Sequence, residues 1–175
     1  LIEKRTTNLT QPQMAKKIES RTIKEFPDGI AEYGSDSLRF TFCALATTGR
    51  DVRFDVARIE GYRNFCNKLW NVAKFALSNT EDFAPGETVR EAEVSDPINR
   101  WIADKTSHVI QSCRQALEEY RFDLYANHIY EFAWHEYCDW YIEMIKPNFW
   151  GDAEASERRR ETQETMLIVF ETILK

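Results

Sequence analysis

Between Leu124 and Ile145 the chain reads LYANHIYEFAWHEYCDWYIEMI, seven Tyr, Phe or Trp in 22 residues. Wound as a helix, these rings fall on almost every side. A helix that is apolar all round has to be enclosed by other elements. The segment is therefore expected to be the central, most buried helix of a bundle. Lys146-Pro147 ends it, because proline removes a backbone donor and clashes with the preceding turn.

The flanking sequence supplies helices that can do the enclosing. Ile98, Trp101, Ile102, Val109, Cys113, Leu117 and Tyr120 keep the spacing of one helical face. Asp96 is placed to cap that helix and Pro97 suits its first position. YRFD, residues 120–123, separates it from the aromatic segment. A helix capped by Asp55 covers 56–78. A last one starts near Ser156, with Met166, Val169, Phe170 and Ile173 inward. Upstream, QPQMAKKIESRTIKEF forms a helix that begins at Pro12 and is stopped by Pro27. YGSDSLRFTFCALATTG forms a second, with Ser35 or Asp36 near its N-cap and Gly49 beyond its end. DVRFD, 51–55, alternates polar and apolar and is the one expected strand. Residues 80–94 are an acidic linker without apolar period. The expected fold is mainly α: a bundle of about four helices over 56–175, preceded by a small α/β segment, 1–55.

Composition narrows the function classes. The chain is 43% hydrophobic with only 6 Gly and 5 Pro, which suits a folded, helix-rich protein. No apolar run approaches the ~18 residues of a membrane span, and no signal peptide opens the sequence. No membrane partner is expected. Cys43, Cys66, Cys113 and Cys138 form no Cys-x-x-Cys pair and read as reduced, mostly buried thiols of a cytoplasmic protein. Leu1 is no initiator, and MLIVFETILK runs to Lys175 without a stop signal, so the chain is expected to be a piece of a longer one.

The net charge of −6 argues mildly against nucleic acid, but it hides a local contrast. Residues 61–79 carry three Lys or Arg and no Asp or Glu, whereas 80–120 carry four against nine. On a helix, Arg63, Asn64, Asn67, Lys68, Asn71 and Lys74 share an arc of about 140°. Phe65, Leu69, Val72, Ala73 and Ala76 lie opposite. An ordinary solvated face is one reading. Such faces, however, usually mix signs to gain i,i+4 pairs. Phosphates explain the bias otherwise: Lys and Arg neutralise them, while Asn offers a donor and an acceptor to base edges. Phe75 interrupts the arc and Trp70 lies at its margin; either could stack on an unpaired base, but core packing is the expected job of both.

Other sites were weighed. His128, His135 and Cys138 share a helix face, and His and Cys are zinc ligands. Their i,i+7 spacing puts two of them two turns apart, too far for one ion, and no Glu-x-x-His pair is present. Core or boundary histidines are the default, and no metal is expected. Glu131, Asp139 and Glu143 read as hydrogen-bond partners at the buried edge rather than as acid–base catalysts. There is no Gly-rich phosphate loop, no Gly-x-Ser-x-Gly and no His-Glu-x-x-His, so no catalytic residue is assigned. Asp36 and Arg39 form an intrahelical ion pair. Arg50 flanks a helix-to-strand turn, where turn chemistry and an RNA contact are both open.

Three stretches then fit a known family. YGSDSLRFTFCALATTGRDVRFD, GYRNFCNKLWNVAKF and FAWHEYCDWYIEMIKP, in this order and spacing, closely resemble valyl-tRNA synthetases of the bacterial type. The isoleucine and leucine enzymes share the pattern from Asp36 to Arg39 but are less similar around NKLWN and CDWY. The resemblance covers essentially the whole chain. It implies that 1–55 are the tail of a class I catalytic part with its stem-contact fold, and that 56–175 are a helical anticodon-binding domain. The full-length enzyme would join valine to its tRNA using ATP and magnesium. The His-Ile-Gly-His-like and Lys-Met-Ser-Lys-Ser motifs of its active site are absent here, so this segment should hold no cofactor and be inactive. Its expected partner is the tRNA for valine, with no obligate protein partner. The resemblance places Asn71 as the anticodon reader and Lys146 to Trp150 as the opposite wall. The expected RNA-binding residues are Arg50, Arg63, Asn64, Asn67, Lys68, Asn71, Lys74 and Lys146. Two alternatives remain: a helical bundle that binds an acidic protein, and a metal-dependent bundle enzyme.

Overall fold

A computed structural model describes residues 1–49, 54–83, 94–150 and 157–175. The chain divides into two compact units, Leu1–Tyr33 and Gly34–Lys175. The small unit holds α1 (Ile2–Thr6), a 3-10 turn (Pro12–Met14) and α2 (Ala15–Glu25). Pro12 opens this turn and Phe26-Pro27 follows α2, as expected. The sequence reading missed α1. Within the unit, the Arg5 guanidinium donates to Thr22 Oγ1 (3.1 Å) and lies 3.6 Å from the Glu25 carboxylate.

The larger unit begins with α3 (Ser35–Leu45). Its N-cap is Gly34, not Ser35 or Asp36, and no side chain caps it. Gly34 sits at φ +85°, which a side chain would strain and glycine adopts freely. The helix also stops four residues short of Gly49. Asp36 and Arg39 pair along it at 3.4 Å. Residues 51–53 of the expected strand lie outside the described residues. Phe54 and Asp55 are not extended into a sheet, and no strand occurs among the described residues. The described part of 1–55 is thus helical rather than α/β.

Helix α4 (Val56–Ser78) starts where expected, with Asp55 Oδ1 accepting the Ala57 N–H at 3.0 Å. Helix α5 (Pro97–Glu118) is capped by Asp96, which accepts the Ile98 and Asn99 N–H groups at 2.8 and 3.3 Å. Most of the acidic linker expected at 80–94 lies outside the described residues. At Tyr120 the backbone turns left-handed (φ +56°) and α5 gives way to the aromatic helix. That helix is continuous but changes gauge. It runs as α6 (Phe122–Glu131), then ten π-helical residues (Phe132–Tyr141), then α7 (Ile142–Ile145). A 3-10 turn (Lys146–Phe149) follows, and α8 (Glu157–Leu174) closes the bundle.

The aromatic helix is central, but it is not enclosed on every side. Phe132, Ala133, Tyr137, Cys138, Tyr141, Ile142 and Ile145 are buried with Ile102, Val72, Met166, Val169 and Phe170. Trp140, in contrast, is 64% exposed. The i→i+5 bonding of a π-helix puts more residues in each turn than an α-helix. Positions projected on α-helical spacing therefore drift along this stretch. Tyr137 and Tyr141 stack at 5.5 Å, and their hydroxyls donate to Met166 O (2.7 Å) and Asn99 Oδ1 (2.9 Å). On α5, Ala116 is buried while Leu117 is exposed, as is Tyr120 in the turn after it. Of the four free thiols only Cys138 is buried; the other three are half-buried.

The packing of α8 contains a feature the hydrophobic pattern does not signal. Glu161, Thr162 and Gln163 are buried in its first turns. One Glu161 oxygen accepts from the Ser95 N–H (2.9 Å) and Oγ–H (2.7 Å). The other accepts from the Asp96 N–H (2.9 Å) and Asn99 Nδ2 (3.0 Å). Arg158 adds a 2.7 Å pair with Asp96. Asn148 Nδ2 donates to Thr162 Oγ1 at 3.0 Å. This network ties the start of α5, the start of α8, the aromatic helix and the 3-10 turn together.

Candidate nucleic-acid interface

The polar arc of α4 resolves into two parallel rows. Asn64, Lys68, Asn71 and Phe75 form the row nearer the aromatic helix. Arg63, Asn67, Trp70 and Lys74, also spaced four, three and four, form the outer row. All four outer residues are exposed, as are Asn64 and Asn71. The asparagine side chains make no hydrogen bond among the described residues.

Lys68, Asn71 and Lys146 come together on one groove, lined also by Phe75, Asp139 and Glu143. Phe75 is half-buried and meets Phe149 edge-on at 6.0 Å. It belongs partly to the core and partly to the groove. The expected site is thus gathered in part, while Arg63, Asn67 and Lys74 stand on the neighbouring row. Arg50 lies outside the described residues.

The groove is not free of carboxylates, because the aromatic helix brings them. Lys68 is ion-paired to Asp139, and its ammonium lies 4.1 Å from the Trp134 ring centroid. Lys146 pairs with Glu143 at 2.6 Å. Arg63 and Lys74 have no ion pair among the described residues; Lys74 lies 5.9 Å from the centroid of the Trp70 ring. Exposed Glu60 stands one turn before Arg63, and the lack of acids over the rest of α4, 61–78, has two explanations. Lys68 takes its counter-charge from across the groove, and Arg63 and Lys74 are left to solvent.

Asp139 and Glu143 were expected as partners at a buried edge. They are exposed and act as ion-pair partners instead, Asp139 also lying 3.3 Å from His135 Nδ1. His135 reaches Glu131 at 3.7 Å on its other side. Burial pushes the Cys138 thiol up to about 11, against the opposing pull of the Lys68 ammonium, so it is no ready thiolate. No group of His, Cys, Asp or Glu among the described residues could hold a metal ion.

The different settings of two lysines predict different costs. Lys68→Met should lower unfolding free energy by about 1 kcal/mol, since a half-screened ion pair and a ring contact are lost. Lys74→Met should stay within about 0.5 kcal/mol of the parent, as exposed substitutions usually do. Urea denaturation of both variants checks this.

Residues 99–175, which hold all but the first two residues of α5, the aromatic helix and α8, match the family described as the anticodon-binding domain of tRNA ligase. Over its whole length the chain is homologous to valine–tRNA ligases. It is 49% identical over 179 residues to the enzyme named valine–tRNA ligase from Legionella pneumophila (strain Lens), and 49% identical to that from Acinetobacter baylyi. All of this chain is matched in both cases, and it spans 19% and 18% of those relatives' lengths.

Proposed function

We propose that the chain is the anticodon-binding module of a valine–tRNA ligase and takes the anticodon stem–loop of the valine tRNA against α4. The observation that carries this reading is the exposed face of α4 after Glu60, which has no Asp or Glu from 61 to 78 and holds Arg63 and Lys74 without an ion pair among the described residues, in a chain similar to those ligases. Arg63 and Lys74 meet phosphates. Asn71, at the groove with its amide N–H and C=O unbonded among the described residues, contacts a base edge. Asn64 and Asn67 add polar contacts nearer the cations. Lys68 and Lys146 contribute by exchanging Asp139 and Glu143 for phosphate, and Arg50 contacts the RNA from the segment before α4. Residues 1–55 serve as the tail of the catalytic part and the stem contact, and 56–175 as the anticodon domain. The whole enzyme would join valine to tRNA in the cytoplasm with ATP and magnesium; this segment would neither bind them nor aminoacylate. An acidic protein partner is the second reading, favoured by the same two cations.

Asn71→Ala tests the base contact. It removes no charge, so the salt dependence of binding should hold, and melting should not change because the side chain makes no hydrogen bond among the described residues. Discrimination between the valine anticodon hairpin and one with another anticodon should shrink by about 1–3 kcal/mol, the scale of one good base contact. Discrimination equal to the parent's would remove Asn71 from the readout.

A further inference from the structure

We propose that Trp70, flanked by Lys74, is a stacking seat for an unpaired nucleotide of the bound RNA, separate from the groove that holds Asn71. The inference deepens the RNA-binding reading and rests on it. Trp70 is 66% exposed in the middle of a 23-residue helix. It is therefore not the core residue that a tryptophan beside Leu69 and Val72 would ordinarily be. A lone exposed indole needs no explanation, but this one has charged company. Lys74 lies one turn on with its ammonium near the ring. Arg63 and Asn67 continue the row, and 61–79 contain no carboxylate to answer either cation.

One ligand uses both features. A nucleotide presents a flat π face to the indole and a phosphate to Lys74 or Arg63. An acidic peptide would satisfy the cations without needing an aromatic face. The base identity is not read here, because every base has a π face. The seat therefore adds affinity for unpaired RNA, while Asn71 adds selectivity.

The test compares Trp70→Ala, Trp70→Leu and Trp70→Phe in the full chain, by anisotropy of a labelled anticodon hairpin and of the blunt duplex made from its stem. Trp70→Ala and Trp70→Leu should each weaken hairpin binding about 5- to 150-fold, the range of one base–aromatic stack. Trp70→Phe should stay within about 3-fold of the parent. Duplex binding and the salt slope should not change, since no charge is lost. Equal melting temperatures establish that the variants are folded; if the alanine variant is not, the leucine variant decides. Hairpin affinity that is indifferent to Trp70→Leu would overturn the stacking seat while leaving the RNA reading to the Asn71 result. A parent chain that binds poly-glutamate and no hairpin would overturn both.

Discussion

Glu161→Ala should destabilise the larger unit by about 3–5 kcal/mol, the usual cost of breaking a buried charged network at one end. The carboxylate is buried and accepts four hydrogen bonds. Truncation leaves the Ser95 and Asp96 N–H groups and the Asn99 amide without their acceptor. Burial works to raise the Glu161 pKa, but the bonds from Asn99, Ser95 and Asp96 outweigh it and hold the carboxyl below the usual range. A carboxylate depressed in the folded state contributes stability that is present above its unfolded pKa, about 4.3, and lost as pH falls through the folded value. The gap between parent and variant should therefore be constant from neutral pH down to about 5 and should narrow below about 4. Urea melts at neutral and acidic pH read both effects. The loss should extend to RNA binding, because the Asn148–Thr162 bond that anchors the 3-10 turn belongs to the same network.

The second large effect is on binding alone. Arg63→Gln combined with Lys74→Gln should weaken hairpin affinity roughly 25- to 60-fold near 0.1 M salt, the loss expected for two phosphate contacts. Stability should change by less than about 0.5 kcal/mol, because both residues are exposed substitution sites. An unchanged affinity would show that these two cations do not face RNA. Anisotropy and a urea melt on the same protein separate the two outcomes.

Much of the helical order was legible in the sequence, for local reasons. Asp55 and Asp96 cap the helices they were expected to cap, and Pro97 and Pro147 mark boundaries by their missing N–H. The stripe on α5 predicted Ile102 inside, yet it took Leu117 for core when Ala116 is the buried neighbour. The sequence cannot show a change of helical gauge. The π-helical turn from Phe132 to Tyr141 therefore left Trp140 outside a segment that composition marked as wholly buried. Glu161 and Asn99 were invisible for a different reason. A buried polar residue is recognised by partners far along the chain, and 62 positions separate these two. The site divides the same way. The lack of acids over 61–79 is a local property and is read directly from the sequence. The Asp139 carboxylate reaches Lys68 only through the packing of the aromatic helix on α4, whereas the Glu143–Lys146 pair is a local i,i+3 contact that the sequence reading passed over. Trp70, at the arc's margin, was expected in the core and is exposed instead.

If α4 meets RNA through two uncompensated cations and a row of amides, phosphate contacts release counterions and binding weakens with salt. Titration of the unaltered chain with the valine anticodon hairpin between about 50 and 300 mM salt should show binding whose log K falls against log salt with a slope of roughly −2 to −3. Absent hairpin binding, or a slope near zero, would mean that α4 does not meet RNA in this way.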